Sequence, residues 1–190
     1  MANFVYVVMD EESREALVVD SGWETEPVVK ASQEMRAKVG RVVLTHEHID
    51  HSATVAELAG ALGAKVVAHE SSPVQHDVAV TDGDSLRLGK KDVKVIHTPG
   101  HTDDSICLYD GGHLFTGDTL FVGTIGKFAY DRAGEMYDSL HGPIMKLPDS
   151  TILYPGHDYG EVPFRTLAEE KSSNPFLLTR DRRSFMSLFA

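Results

Sequence analysis

The sequence predicts a mixed α/β (α+β) fold: two sheets packed face to face with helices outside them, a four-layer αββα sandwich. Three observations predict it. Short β-type apolar runs alternate with helical stretches, and in each half of the chain hairpins come first and helices follow. The length of 190 residues suits one domain, 1–190, with a full core. Hydrophobic residues make up 42% and charged residues 25%, the balance of a soluble globular chain.

Phe4–Val8 and Ala16–Asp20 read as a strand pair around the polar turn Asp10–Arg14, and Ser21-Gly22 ends the second run. Pro27 suits the first turn of a helix running to about Lys38, with Gly40 as its stop. Arg41–Thr45 follows as a strand. Thr54 to Leu62 has an apolar stripe at helical spacing, and Thr54 with Glu57 has the spacing of a capping box. Gly63 stops it, and Lys65–His69 is the next strand. Ser85–Leu88 and Asp92–Thr98 join through Gly89; Ser105–Tyr109 and His113–Thr116 form a hairpin across Asp110-Gly111-Gly112. Glu135–Gly142 is helical up to Pro143, Thr151–Tyr154 is a strand, and Phe164–Ser173 is a helix before Asn174-Pro175. The tail, Arg180–Arg183 followed by Ser184–Phe189, is amphiphilic. Packing on its own domain is the expectation, with a second subunit of a homodimer or a cap over the site as alternatives.

Composition narrows the function classes. Lys plus Arg is 18 against 29 for Asp plus Glu, a net charge of −11 that disfavours nucleic acid and anionic lipid as partners. No apolar run approaches the ~20 residues of a membrane span, and the start lacks the pattern of a secretory signal. Cys107 is the single cysteine, so no intrachain disulfide forms and the cytoplasm is the expected compartment. Inside an apolar strand, Cys107 reads as a packed core residue.

Four strand-like runs end in potential metal ligands. Val42–Thr45 leads into His46-Glu47-His48-Ile49-Asp50-His51, Val95–Thr98 into Pro99-Gly100-His101, Leu114–Gly117 into Asp118, and Ile152–Gly156 into His157. Strand ends on a rigid scaffold can bring such groups to one point. Three histidines and an aspartate within six residues form a poorly stabilised cluster unless a cation joins them. Imidazole and carboxylate without thiolate suit Zn2+, with Fe2+ or Mn2+ as alternatives. The isolated His69, His76, His97, His113 and His141 read instead as hydrogen-bonded packing or surface residues.

The segments T-H-E-H-I-D-H at 45–51, T-P-G-H-T at 98–102, T-G-D-T-L-F at 116–121 and Y-P-G-H-D-Y at 154–159 resemble the metal motifs of the metallo-β-lactamase superfamily, in order and spacing over nearly the whole chain. The resemblance implies the metallo-β-lactamase fold, which is an αββα sandwich. It also implies two divalent cations, one on His46, His48 and His101, the other on Asp50, His51 and His157, with Asp118 between them. Members that hydrolyse β-lactams in the best-known class have cysteine where this chain has Asp118. Flavodiiron members have glutamate in place of His48, and RNA-cleaving members add a large domain.

The stretch D-T-L-F-V-G-T-I-G-K-F at 118–128, with E-M-Y-D-S-L at 135–140 and G-H-D-Y at 156–159, is similar to glyoxalase II, the hydroxyacylglutathione hydrolases, in a short form without their C-terminal helical domain. The resemblance implies a thioester hydrolase acting on S-acylglutathione or a similar small molecule. Asp50 and Asp118 would be the catalytic carboxylates, and Lys127 and Tyr159 the substrate-binding residues. A solvated loop lysine and a packing tyrosine are the alternatives at those two positions. The related persulfide dioxygenases are the second reading, with a single Fe2+ on His46, His101 and Asp118. A lactonase and a non-catalytic metal-binding protein rank below both.

Overall fold

Alternate residues of the central strands face different layers, and that alternation builds the molecule. The structure is a computed structural model that describes residues 3–189. The elements run β1 (Tyr6–Met9), β2 (Glu15–Val19), α1 (Glu26–Glu34), β3 (Lys38–Val43), α2 (Ile49–Ser52), α3 (Val55–Leu62), β4 (Lys65–His69) and β5 (Val78–Val80). They continue with β6 (Ser85–Leu88), β7 (Lys91–His97), β8 (Ile106–Tyr109), β9 (His113–Gly117), β10 (Leu120–Phe121), β11 (Thr124–Ile125) and α4 (Ala133–His141). β12 (Ile152–Pro155), β13 (Arg165–Thr166), α5 (Leu167–Ser173) and α6 (Arg182–Met186) complete the chain.

Strands β1 to β5 form one sheet in sequence order, and β13-β12-β9-β8-β7-β6 form the other. In the first, β1 is antiparallel to β2 while β2, β3, β4 and β5 are parallel; in the second, β9 and β12 are the parallel pair. Leu17, Val19, Val43 and Val67 point from the first sheet to meet Val93, Val95, Ile106, Leu108 and Phe115 of the second. Their sequence neighbours Ala16, Val18, Val42, Leu44, Val66 and Ala68 point the other way, onto Val28 of α1 and Val55, Leu58 and Ala59 of α3. Beyond the second sheet, Cys107, Leu114 and Leu153 pack with Met136 and Leu140 of α4, Leu167 of α5 and Phe185 of α6. Three apolar layers between four structural layers make the predicted αββα sandwich.

Several boundaries differ from expectation. Helix α1 ends at Glu34 rather than near Lys38, because Arg36 turns the chain with φ +52° and β3 begins at Lys38. Gly40 therefore lies inside a strand, where the register slips between the Ala16–Val39 and Leu17–Arg41 pairs, the place of a β-bulge. Thr54 makes no capping box with Glu57. Its hydroxyl donates to the carbonyls of Ser21 and Gly22, and Glu57 accepts from Thr25. Capping boxes sit later, at Thr166 with Glu169 and at Asp181 with Ser184, and the first of them makes the expected helix from Phe164 begin at Leu167 after the short strand β13. Strand β5 escapes sequence reading because Val-Ala-Val is short and isolated. The tail packs on its own chain: Phe185 is wholly buried, and Phe189 stacks near Phe128 and Phe176. Among the described residues no helix is long and apolar enough to cross a membrane.

Candidate metal centre

Strands β3, β7, β9 and β12 all deliver their C-terminal ends to one rim of the sandwich, and the chain breaks into loops there. His48 Nδ1 lies 3.2 Å from His46 Nε2 and 2.9 Å from His101 Nε2. His157 Nε2 lies 3.3 Å from both His51 Nε2 and Asp50 Oδ2. Asp118 stands between these groups. Its Oδ2 is 3.2 Å from His157 Nε2 and 3.6 Å from His101 Nε2, and its Oδ1 is 3.2 Å from His51 Nε2. The donors group as His46, His48 and His101, as Asp50, His51 and His157, and as His46, His51 and Asp118.

Hydrogen bonds fix which ring nitrogens face inward. His101 Nδ1 is 2.5 Å from the Lys127 carbonyl, which can only accept, so Nδ1 carries the proton and Nε2 keeps a lone pair. Thr45 spends its hydroxyl proton on Asp20 and so accepts from His46 Nδ1 at 3.1 Å, which again frees Nε2. His51 Nδ1 donates to Asp20 Oδ2 at 2.8 Å. His46 and His101 thus turn two lone-pair nitrogens toward the one Nδ1 of His48, which can donate to only one of them, and a cation among the three relieves the repulsion that is left. Ligands at 2.0–2.1 Å in a tetrahedron sit roughly 3.3 Å apart, which is the spacing seen here. Two buried atoms within the group, Asp118 Oδ1 and His157 Nδ1, have no hydrogen-bond partner among the described residues. The donor set therefore fits divalent cations.

Electrostatics agree with that fit. Burial pushes His46 well down and His101 down, in each case against the pull of Asp118, and so favours the neutral imidazole at both. Burial would lift the Asp118 carboxyl, but His157 and His51 beside it hold it far below the usual carboxylate range. His51 moves the other way: burial lowers it, yet Asp20 and Asp118 outweigh burial and push it up to about 10. Backbone closeness shapes the site as well. A Cβ on Gly156 would sit 2.5 Å from Asp118 Oδ1 and 2.9 Å from His51 Cε1, and one on Gly126 would collide with the Asp118 carbonyl.

The structure thus brings together all seven of His46, His48, Asp50, His51, His101, Asp118 and His157. Tyr159 is at the edge, its ring stacked on His157 at 4.7 Å and edge-on to Phe121. Lys127 has an exposed side chain, and its carbonyl is what orients His101. The five isolated histidines lie outside the group with partners of their own: Ser71 for His69, Val74 for His76, Asp103 for His97, Asp110 for His113 and Phe176 for His141. Sequence reading missed Asp20, which bonds Thr45 and His51 from a buried position at φ +63°. The signal was available, since Val18-Val19-Asp20 repeats the pattern of an apolar strand closing on an acid.

Residues 1–157 match the metallo-beta-lactamase superfamily. A hydroxyacylglutathione hydrolase of Cereibacter sphaeroides is 35% identical over 185 residues, covering 94% of this chain and 71% of its own. The human mitochondrial persulfide dioxygenase ETHE1 is 34% identical over 180 residues, covering 92% and 71%. Among solved structures, ETHE1 from Myxococcus xanthus superposes with a TM-score of 0.88 at 35% identity, over 98% of this chain and 84% of that one. With the sandwich, the strand-end histidines and these relatives in agreement, the chain belongs to the metallo-beta-lactamase superfamily.

Proposed function

We propose that the chain is a metal-dependent thioester hydrolase of the glyoxalase II kind, acting as one catalytic domain over 1–190 on S-acylglutathione or a similar small thioester in the cytoplasm. One observation carries the reading: the two oxygens of Asp118 face both donor groups, so a single carboxylate could serve two cation sites. His46, His48 and His101 would hold one cation, Asp50, His51 and His157 the other, with Asp118 shared and Zn2+ the expected ion. Bound there, such cations supply Lewis acidity and bring the pKa of water down to about 7.

The chain's own residues do the rest. Asp118 and Asp50, both held ionised, keep the pocket's negative charge fixed and orient the attacking oxygen. Lys127 stands at the exposed edge, where its ammonium can draw an anionic thiol carrier. Tyr159 lines the same edge through its stack on His157. A thiol of pKa near ~8.5 departs as thiolate, so the chain needs no dedicated general acid.

The TM-score of 0.88 to an ETHE1 structure favours a second reading. In it a single Fe2+ on His46, His101 and Asp118 serves persulfide oxidation. Anaerobic purification with metal quantification separates the two, followed by hydrolysis of S-D-lactoylglutathione beside oxygen uptake with glutathione persulfide. Two equivalents of metal with thioester turnover support the hydrolase. One iron with oxygen consumption replaces it by the dioxygenase.

A further inference from the structure

Two of the candidate ligands are tied to the N-terminal segment. Asn3 Nδ2 donates to Asp50 Oδ2 at 3.0 Å and to the Asp50 carbonyl at 3.1 Å. Asn3 also forms an antiparallel bridge with His157, and Phe4 N donates to the Gly156 carbonyl at 2.9 Å. The held oxygen is the one 3.3 Å from His157 Nε2. A carboxylate oxygen has two lone pairs, so Oδ2 can accept from Asn3 and still face a cation.

The other half of the centre is oriented from elsewhere. His46 leans on Thr45, and His101 on the Lys127 carbonyl. Asp50 lies on the four-residue helix α2, and its carboxylate accepts from the Asn3 amide as well as from its own backbone N–H.

We propose that Asn3 is a positioning residue for the half-site of Asp50, His51 and His157, setting the cation affinity of that half without setting the affinity of the half built on His46, His48 and His101. The proposal rests on the two-cation reading above. A pinned carboxylate is presented ready for the cation, whereas a free one must give up rotamer freedom on binding.

The test is a zinc titration of the metal-free protein against a chromophoric chelator, for the wild type, Asn3→Leu and Asn3→Ala. The leucine keeps the branched outline and removes the donor; the alanine removes both. The expected result is one binding step unchanged within about twofold and the other weakened by about 10- to 100-fold. Equal steps in all three proteins overturn the proposal. So does a parallel weakening of both steps, which is what general loosening produces, and so does failure of both variants to fold by circular dichroism. A wild type that takes one zinc at every concentration overturns the two-cation reading together with this proposal. The first three outcomes leave that reading intact.

Discussion

His51 hangs from Asp20: a 2.8 Å bond from Nδ1 to Oδ2 turns the opposite nitrogen, Nε2, toward Asp118 and His157. Asp20 accepts from the Thr45 amide and hydroxyl as well, so one buried carboxylate steadies the start of the His46–His51 loop and a ring at its end. Asp20→Asn keeps the shape and removes the charge. We expect cation affinity to fall by about 10- to 100-fold, as loss of an orienting partner typically produces, with the αββα fold intact. Competition titration with circular dichroism checks this, and unchanged affinity would remove Asp20 from the account.

The same pair gives cation binding a specific pH dependence. Without a cation, Asp20 and Asp118 push His51 up to about 10, so near neutral pH its ring carries a proton on both nitrogens. A cation at Nε2 must displace one of them. Apparent affinity should therefore keep rising with pH until about 10, where an isolated imidazole would level off near ~6.5. The stability that His51 lends to the cation-free fold follows the same sign. It is fully present below about 6.5 and is lost as pH rises through about 10. Calorimetry at pH 7.5 in buffers of different ionisation heat should find about one more proton released by the wild type than by Asp20→Asn. Equal release would show that His51 is already neutral.

Gly156 and Gly126 let backbone pass where no side chain fits. An alanine methyl at 156 would overlap Asp118 Oδ1 and His51 together. We expect Gly156→Ala to lose bound metal and activity while costing about 1–3 kcal/mol of stability, the usual range for overpacking. Metal content by mass spectrometry and a denaturant melt read the two effects separately. Full metal content would mean that the loop can move aside.

Cys107 should be chemically silent. Burial pushes its thiol up to about 11, although contacts from Thr98 and Thr119 pull the other way. At pH 8 the thiolate fraction is then about one in a thousand, and the sulfur has no exposed surface. A thiol reagent should label the protein only upon unfolding, and Cys107→Ser should keep its turnover. Fast labelling of the folded protein would contradict this.

The ligand segments were legible because chemistry and pattern coincide in them: each is an apolar strand with a metal-binding side chain just past its end. Asp20 has the same pattern, but a lone acid at a strand end has many ordinary uses. Asn3 and Gly126 carry no signal of their own, since their roles come from contacts 47 residues away and from a neighbouring backbone. The layers followed from alternation, which is local. Gly40 misled because a glycine that stops a helix and one that forms a bulge look alike until the partner strand is known.

Lys127 combines two roles that one substitution can separate. Its carbonyl accepts from His101 Nδ1, and any L-residue at 127 supplies that carbonyl. Its ammonium is exposed and available to an anionic thiol carrier. If the side chain draws the substrate, Lys127→Ala should raise KM roughly fivefold, the scale of a solvent-screened ion pair, and leave kcat and metal content unchanged. Added salt should raise the wild-type KM toward the variant's value, because screening removes the same attraction. A KM that ignores both the substitution and the salt would make Lys127 a solvated loop residue, valued for its backbone alone. A fall in kcat together with metal content would instead mean that the side chain props the loop, and that the carbonyl contact to His101 depends on it.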